Sequence, residues 1–422
     1  MKIHLIGIGG IGVSALAQYY LAKGHQVSGS DLVASEITDF LANPPSHKVS
    51  ARRGRGIKIF IGHSAVNITK DIDLVVHSPA VKPDNPEYKK AKELGIKTQS
   101  YPEALGELTR EYYTIAVAGA HGKSTTTAMI GLVMASVGLD PTVIVGTKVK
   151  EFGGSNFRQG KSKFLVIEAC EYDSSFLHYF PKIIVITNVD KEHLDYFKTF
   201  ASVKKAFRNF VLKLPGGGFL VLNKDDKYSP KFISPEFSIK DYSLKQLEAK
   251  NIKKILRVPG QHNVSNALAV LQVARILGVP DKITFKALSE FKGTWRRFEE
   301  RDSKIEKFKN LKIISDYAHH PKEILATLKS AREKYPNKKI WCVFQPHQHQ
   351  RTYYLFNDFV KVFRQVPTDK IIITDIYDVA GREEKIIRKK INSKKLIEAT
   401  KSPRAIYLPK AEIINYLKEN LL

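Results

Sequence analysis

The chain has few cysteines and no long apolar segment. Its 422 residues include only Cys170 and Cys342, which is too few for a framework of disulfides. No apolar run reaches the roughly 18 residues that a membrane-spanning helix needs, so the sequence predicts no such helix. The amino-terminal stretch turns into glycines and has no small-residue cleavage site, which argues against a signal peptide. We therefore expect a cytoplasmic protein without a membrane partner.

Acidic residues are scarce relative to basic ones. The chain carries 68 lysines and arginines against 42 aspartates and glutamates, a formal net charge of +26. Such an excess permits nucleic-acid binding, anionic small substrates, or basic residues spread over solvated faces. The basic residues are scattered, and the densest cluster, at 52–55, is short. We favour anionic substrates and solvated faces, and we expect no nucleic-acid partner.

The order of apolar runs and helical patterns predicts an α/β protein. Short apolar strands followed by polar or glycine turns alternate with helices, which is typical of mostly parallel sheets. The length suits two or three domains, and we predict three, at 1–110, 111–292 and 293–422. Three glycines at 216–218 and the strand after them predict a hairpin-like element inside the second domain.

A glycine motif follows the first predicted strand. Residues 7–12 satisfy G-x-G-x-x-G between a strand and a helix, and a second strand ends at Asp31. This spacing is typical of a fold in which the helix start binds a pyrophosphate and the acid binds a ribose or sugar hydroxyl. The motif itself leaves NAD, a nucleotide-sugar and a purely structural turn open.

A second glycine loop joins the apolar run at 115–117 to a helix. Residues 119–124 read G-A-H-G-K-S, and apolar residues recur at i, i+3, i+4 and i+7 from Ile130. Backbone N–H groups and the positive helix start form a phosphate cradle in such loops. Lys123 would reach the outer phosphates, and Ser124 or Thr125 would bind Mg²⁺. A plain glycine turn is the alternative.

Polar residues also follow later strands. Glu168 ends one apolar strand, and His193 comes shortly after the next. Because ligands bind beyond the carboxyl ends of parallel strands, Ser124, Glu168 and His193 can converge on Mg²⁺. A capping carboxylate and a hydrogen-bonded loop histidine are the structural alternatives.

Further polar clusters lie near the predicted junction with the third domain and beyond it. Polar side chains at a helix start near 262–266 could contact a base edge, or Asn263 could simply cap the helix. The pair Arg296 and Arg297 suits a phosphate or carboxylate clamp, with a solvated hinge as the alternative. Histidines at 319, 320 and 347 suggest a zinc site, which we disfavour because the helical zinc-ligand spacing is absent.

Eight motifs, in order along nearly the whole chain, resemble those of the Mur ligase family. They are GIGGIGVS at 7–14, GAHGKSTTT at 119–127, EACEYDSSFLH at 168–178, TNVDKEHLDYF at 187–197, PGQHNVSNALA at 259–269, GTWRRFE at 293–299, DYAHHPKEI at 316–324 and FQPHQHQRT at 344–352. The resemblance implies a Rossmann-like UDP-sugar domain, a central ATP-binding domain and a Rossmann-like amino-acid domain. It further implies an ATP-dependent ligase that joins L-alanine to UDP-N-acetylmuramate through an acyl phosphate, in peptidoglycan precursor synthesis.

The resemblance also implies roles for individual residues. Those expected at the reacting groups are Lys123, His193, Arg297, His319 and Arg351. Those expected at ATP are Gly119, Ala120, His121, Gly122, Lys123, Ser124, Thr125, His262, Asn263, Asn266 and Asp316. Those expected at the UDP-sugar are Gly9, Gly10, Ile11, Gly12, Asp31, His63 and Ser78. His347 and Arg351 would face the amino acid or the muramoyl carboxylate, and Mg²⁺ would be bound by Ser124, Glu168 and His193.

These groups come from different predicted domains, so domain closure would assemble the site. We expect a monomer or a weak homodimer.

Several positions depart from the family's usual pattern. Cys170 stands in place of an acid, Glu192 in place of an aspartate, and Gln348 in place of an arginine. A murein tripeptide recycling ligase, which the E-Y-D at 171–173 resembles, and a degenerate non-catalytic homologue therefore stay as alternatives. A nicotinamide-dependent oxidoreductase would leave the loop at 119–127 unexplained, and a nucleic-acid-binding ATPase rests only on the net charge.

Overall fold

The chain divides into two compact units. The computed structural model describes residues 1–44, 56–233, 235–303, 311–378 and 384–421, so the basic cluster at 52–55 lies outside the described residues. Unit 1 comprises Met1–Asp190, Lys204–Arg257 and Ser265–Trp295, and unit 2 comprises Lys191–Val203, Val258–Val264 and Arg296–Leu422. Among the described residues, no helix has both the length and the apolar character required to cross a membrane.

Unit 1 begins with a five-stranded parallel sheet. Its strands are β1 (Lys2–Ile6), β2 (Gln26–Asp31), β3 (Lys58–Ile61), β4 (Leu74–His77) and β5 (Lys97–Ser100). They lie in the order β3-β2-β1-β4-β5, so the direction of strand addition reverses beside β1. Such a reversal opens a crevice at the carboxyl ends of the neighbouring strands, where ligands bind.

A seven-stranded sheet completes unit 1. Its strands are β6 (Tyr113–Ala118), β7 (Thr142–Val149), β8 (Ser155–Arg158), β9 (Phe164–Glu168), β10 (Ile183–Ile186), β11 (Phe219–Asn223) and β12 (Ser238–Tyr242). They lie in the order β12-β11-β10-β6-β9-β7-β8, and only β7 and β8 pair antiparallel. The central strands β6, β9 and β10 are nearly all apolar because the sheet buries them on both faces.

The helices follow the strands in alternation. They are α1 (Ile11–Ala22), α2 (Glu36–Ala42), α3 (Pro86–Glu93), α4 (Tyr101–Glu111), α5 (Lys123–Ser136), α6 (Leu194–Phe197), α7 (Phe200–Val211), α8 (Leu247–Ile255), α9 (Gln261–Ile276), α10 (Asp281–Glu290), α11 (Pro321–Lys334), α12 (His349–Tyr354), α13 (Phe356–Gln365), α14 (Lys385–Lys390), α15 (Ser393–Thr400) and α16 (Ile413–Asn420). The predicted hairpin-like element after the glycines at 216–218 is wrong. The chain passes through α7 between β10 and β11, and this crossover makes β11 parallel to both its neighbours.

Helix α5 is buried on more than the predicted face. Ile130, Val133 and Met134 are buried as the periodicity predicted, but residues 125–129 are buried as well. The helix packs against β6, β7 and β9 and also against α10. Because a sheet covers one side of this helix and a second helix covers another, most of its surface is buried. The apolar periodicity therefore identifies only part of the buried surface.

Unit 2 contains a short antiparallel pair and a parallel sheet. The pair is β13 (Glu299–Asp302) with β14 (Lys312–Ser315), and the sheet is β15 (Trp341–Phe344), β16 (Lys370–Ile373) and β17 (Ala405–Tyr407). Phe344, Phe359 and Phe363 form the centre of the core between this sheet and its helices. The α/β fold and its mostly parallel sheets are as predicted, and the limits 1–110, 111–292 and 293–422 stay a prediction.

Candidate active site

The first glycine motif lies at the carboxyl ends of β1 and β2. The Gly9 N–H donates to Asp31 Oδ2 over 2.8 Å, and a Cβ at Gly9 would lie only 2.8 Å from that same oxygen. Ser78, just after β4, packs against Gly7, where an added Cβ would lie 2.9 Å from the Ser78 Cβ. Gly10 caps α1 without a side-chain hydrogen bond, and Ile11 and Gly12 form its first turn. The structure thus brings the glycine loop, Asp31 and Ser78 together.

His63 follows β3 and contacts a buried carboxylate. Its Nδ1 lies 2.9 Å from Ser30 Oγ and 3.5 Å from Glu87 Oε2. The Glu87 side chain is 0% exposed, and His4 Nε2 lies 3.4 Å from it on the other side. Burial opposes ionisation of Glu87, but the nearby His4 ring and hydrogen bonds from Ser30 and Asn67 lower its pKa to about 2. Sequence reasoning missed Glu87 because an acid in the first turn of a helix reads as an ordinary surface residue.

The second glycine loop joins β6 to α5. Gly122 caps the helix with φ of 85°, and an added Cβ there would overlap the Asn266 amide. The Lys123 Nζ folds back over the loop, donating to the Gly119 carbonyl over 2.6 Å and lying 3.0 Å from Glu171 Oε2. Burial opposes the charge on Lys123, but the neighbouring carboxylates outweigh it and raise the pKa of the ammonium group. Lys123 is therefore a buried, fixed cation inside the predicted phosphate cradle.

Asn188, which the sequence did not single out, clamps this loop. Its Oδ1 accepts the His121 N–H over 2.9 Å, and its Nδ2 donates to the His121 carbonyl over 2.9 Å. Its own carbonyl accepts the Ala120 N–H over 3.1 Å, while Thr187 Oγ1 donates to the His121 carbonyl over 2.6 Å. His121 Nε2 in turn lies 3.3 Å from Asp190 Oδ2. The pairing of strands explains this position of Asn188. Strand β10 lies next to β6 and runs parallel to it, so the residues that follow the two strands meet.

Two of the three predicted metal ligands lie in unit 1. Ser124 is partly exposed at the start of α5 and, among the described residues, its side chain has no hydrogen-bond partner, whereas Thr125 is buried. Glu168 Oε2 accepts the Gly146 N–H over 2.7 Å at the end of β9. A hydroxyl and a carboxylate are oxygen donors that fit Mg²⁺. His193 belongs to unit 2, so the convergence of all three residues stays a prediction.

Cys170 and Glu192, which replace residues usual in the family, differ in their ionisation. Burial and the nearby Glu171 charge raise the pKa of the Cys170 thiol to about 12, so it is neutral at physiological pH. Glu192 is 4% exposed and lies 3.4 Å from Arg351 Nη2. Burial alone would raise the pKa of Glu192, but the positive charge of Arg351 outweighs it and lowers that pKa. Glu192 is therefore an anion paired within unit 2.

Arg351 also joins two other residues of its motif. Its Nη1 donates to the His347 carbonyl over 3.1 Å and lies 3.3 Å from His347 Nδ1. The His347 ring stacks on Tyr377 with centroids 5.3 Å apart. Gln348 has φ of 74°, and its N–H donates to the Tyr377 carbonyl over 2.9 Å. A positive φ outside glycine is strained and is found preferentially at functional sites.

The arginine pair and the motif at 316–320 also meet in unit 2. Asp316 accepts the N–H groups of Phe298 and Ala318 over 2.8 and 2.7 Å, while burial raises the pKa of its carboxyl group. Arg296 and Phe298 both have positive φ, at 55° and 48°. Arg297 Nη1 lies 3.6 Å from Glu323 Oε1. The turn at 296–298 is thus held in an uncommon conformation by the Asp316 carboxylate.

His319 shares Glu323 with Arg297. Its Nδ1 lies 3.4 Å from Glu323 Oε2, and burial lowers the pKa of the ring. The centroids of the His319 and His347 rings are 6.1 Å apart. Within the described part of the chain, histidines 319, 320 and 347 are not grouped together as candidate metal ligands.

The residues predicted at adenine are divided between the units. Asn266 belongs to unit 1 beside Gly122, while His262 and Asn263 belong to unit 2. The Asn263 amide donates to the Pro259 carbonyl over 2.7 Å from within the first turn of α9, so it does not cap the helix as an acceptor. Desolvation by its neighbours and the positive charge of Arg297 lower the pKa of His262 to about 4. A common contact of these residues with adenine stays a prediction.

Three family models together match most of the chain. Residues 2–113 match the family described as "Mur ligase family, catalytic domain", residues 117–274 match "Mur ligase middle domain", and residues 296–419 match "Mur ligase, glutamate ligase domain". The chain is 43% identical to a UDP-N-acetylmuramate–L-alanine ligase of Alkaliphilus metalliredigens, over 91% of this chain and 85% of that one. It is 42% identical to the ligase of the same name from Acetivibrio thermocellus, over 99% and 90% of the two chains.

A solved structure shows the same fold. The crystal structure of UDP-N-acetylmuramate-alanine ligase MurC from Thermotoga maritima matches with a TM-score of 0.77 at 30% identity, over 99% of this chain and 92% of that one. Parallel sheets with two glycine loops at strand ends define a three-domain α/β enzyme that uses a nucleotide. The chain belongs to the Mur ligase family, whose members are ATP-dependent ligases.

Replacing the clamp residue should loosen the second glycine loop. In Asn188→Ala, both side-chain hydrogen bonds to His121 are lost, and we expect KM for ATP to rise about tenfold, the cost of roughly one buried hydrogen bond. Steady-state kinetics with varied ATP measure this. Asn209→Ala, at an exposed position of α7 in unit 1, is the matched control and should leave KM for ATP unchanged. An unchanged KM for ATP in Asn188→Ala would contradict the clamp.

Proposed function

We propose that this protein joins L-alanine to UDP-N-acetylmuramate while ATP is cleaved to ADP and phosphate, in peptidoglycan precursor synthesis. The observation that carries the proposal is the agreement between the relatives and the site. Relatives 40–43% identical bear the name UDP-N-acetylmuramate–L-alanine ligase. The chain keeps a buried lysine in its phosphate loop and a buried arginine in its carboxyl-terminal unit.

The reaction proceeds in two balanced steps. A carboxylate oxygen of the muramoyl group attacks the γ-phosphorus of ATP, the bond to the β-phosphate oxygen breaks, and ADP leaves an acyl phosphate behind. The α-amine of L-alanine then attacks the acyl carbon, the bond to the phosphate oxygen breaks, and the nitrogen gives up a proton. Both steps gather several anionic groups, so positioning and electrostatic stabilisation are the main tasks of the protein.

Lys123 is suited to the phosphoryl-transfer step. Its Nζ is held by Gly119 and Glu171 within the loop, so it is oriented before ATP arrives. The N–H groups at the start of α5 add the positive end of the helix dipole. The neutral thiol of Cys170 adds no charge beside this ammonium group, so the departure from the family's usual acid leaves Lys123 a cation paired with Glu171.

Arg351, His347 and His319 are suited to the acceptor side. Arg351 is a buried guanidinium with hydrogen-bond donors beyond those used by Glu192 and His347. His319 has a lowered pKa and is neutral at physiological pH, so it does not repel an incoming ammonium group. Gln348 brings no charge, and the contact with a substrate carboxylate therefore falls to Arg351.

Mg²⁺ is proposed as the metal. Ser124 and Glu168 offer oxygen donors near the phosphate loop, and His193 is the third proposed ligand. When bound, the ion would neutralise phosphate charge and favour the in-line geometry of transfer. We also propose a cytoplasmic location, where ATP and UDP-sugars are available, and a monomer or weak homodimer.

An amino-acid panel tests the proposed function. In a phosphate-release assay with ATP, Mg²⁺ and UDP-N-acetylmuramate, we expect release with L-alanine that exceeds release with the tripeptide L-Ala-γ-D-Glu-meso-diaminopimelate. Preference for the tripeptide would support the recycling alternative. No release with any amino acid would leave the non-catalytic alternative.

Removal of the loop lysine separates the two nucleotide sites. In Lys123→Ala, the buried cation is lost, and we expect kcat to fall at least about a hundredfold, as when one preorganised charge is removed from a phosphoryl-transfer site. Binding of UDP-N-acetylmuramate, measured by calorimetry, should change little. Lys161→Ala, on an exposed turn, is the control. Simultaneous loss of UDP-sugar binding would mean that the two nucleotides are assigned to the wrong loops.

The metal proposal has its own test. In Ser124→Ala, we expect the Mg²⁺ concentration for half-maximal rate to rise about tenfold, because one oxygen ligand is lost. Ser136→Ala, at the other end of α5, should leave that concentration unchanged. A Ser124→Ala enzyme with the wild-type Mg²⁺ dependence would exclude this hydroxyl as a ligand.

A further inference from the structure

A buried carboxylate of α3 lies beside His63, next to the first sheet of unit 1. Glu87 is completely buried, although it sits in the first turn of α3, where an acid is usually solvated. One of its oxygens, Oε1, accepts from Asn67 Nδ2 over 2.6 Å and from the Ser64 N–H over 3.2 Å. The other oxygen, Oε2, accepts the hydroxyl hydrogen of Ser30. These contacts are more than a helix cap requires, and they tie α3 to β2 and to the loop after β3.

The hydrogen bonds determine which nitrogen of His63 carries a hydrogen. Ser30 has one hydroxyl hydrogen, and it is donated to Glu87. Ser30 Oγ can therefore only accept from His63 Nδ1, which lies 2.9 Å away. Nδ1 must then carry a hydrogen, which also suits Glu87 Oε2 at 3.5 Å. The ring nitrogen that remains is Nε2, and among the described residues it has no hydrogen-bond partner.

We propose that Glu87, acting through Ser30, is a positioning residue that fixes His63 with its hydrogen on Nδ1 and presents Nε2 to a hydroxyl group of the UDP-sugar. The inference rests on the proposed function and deepens it at the first glycine motif. His63 follows β3, and Ser30 lies in β2 immediately before Asp31, which holds the Gly9 N–H. With its hydrogen on Nδ1, the ring presents Nε2 as a hydrogen-bond acceptor, which selects a hydroxyl over a phosphate oxygen.

The substitution Glu87→Gln should reverse this arrangement without changing its shape. Since Asn67 and the Ser64 backbone are both donors, the amide oxygen has to take the Oε1 position. The amide NH₂ then faces Ser30, which accepts from it and donates to His63 Nδ1 instead. The hydrogen of His63 moves to Nε2. An N–H donor then faces the sugar hydroxyl, which can no longer donate its own hydrogen to this nitrogen.

The experiment compares kinetics and imidazole nitrogen-15 spectra of the full chain. For Glu87→Gln we expect KM for UDP-N-acetylmuramate to rise about tenfold with kcat nearly unchanged, as for one hydrogen bond turned into a mismatch. The His63 signals, identified by their loss in His63→Ala, should show the hydrogen on Nδ1 in the wild type and on Nε2 in the variant. Glu93→Gln, on the exposed side of the same helix, is the matched control and should match the wild type.

A double-mutant cycle gives a further check. If Glu87 acts through His63, then Glu87→Gln should add little to the rise in KM caused by His63→Ala. Additive effects, an unchanged KM, or wild-type spectra with the hydrogen on Nε2 would each overturn the proposal. The wild-type spectrum decides the point even if a variant fails to fold. Absence of UDP-sugar-dependent phosphate release in the wild type would instead count against the proposed function.

Discussion

The parallel pairing of β6 with β10 is the constraint on which the phosphate loop depends. Because the two strands run side by side in the same direction, the residues that follow them meet at one edge of the sheet. Asn188 can then hold the backbone of His121 from both sides, which fixes the loop just before α5 begins. Gly122 takes the left-handed conformation that this tight entry requires. The same logic, with β1 and β2, places Asp31 against Gly9.

Much of this arrangement could be predicted from sequence because it is local. Apolar runs that end in glycine or polar residues predict the strands and both glycine loops. The spacing from Gly12 to Asp31 predicts that Asp31 lies close to the first glycine loop. The hairpin-like element at 216–218 was predicted wrongly, because a glycine turn looks the same before an antiparallel and a parallel strand. Only the partner strand decides between them, and that partner is distant in sequence.

The residues that sequence reasoning missed share a different property. Asn188, Glu171 and Glu87 act on other protein residues rather than forming a recognisable motif of their own. Glu87 lies in the first turn of a helix and Glu171 one residue after a cysteine, and nothing in their local pattern separates them from solvated acids. Their roles follow from long-range contacts, such as the one between Ser30 of β2 and Glu87 of α3.

Buried acids also explain how a chain of net charge +26 keeps specific anion sites. A cation exposed on the surface binds any passing anion weakly, since solvent and salt screen it. Lys123 and Arg351 are instead buried beside Glu171 and Glu192, at 3.0 and 3.4 Å. Burying either charge without a partner would be costly, and the paired carboxylate offsets that cost while it fixes the direction of the cation. An anionic substrate must therefore match the geometry of the hydrogen-bond donors that the two paired cations still offer. The few acids placed beside these cations thus make the two sites selective, although the chain as a whole is strongly basic.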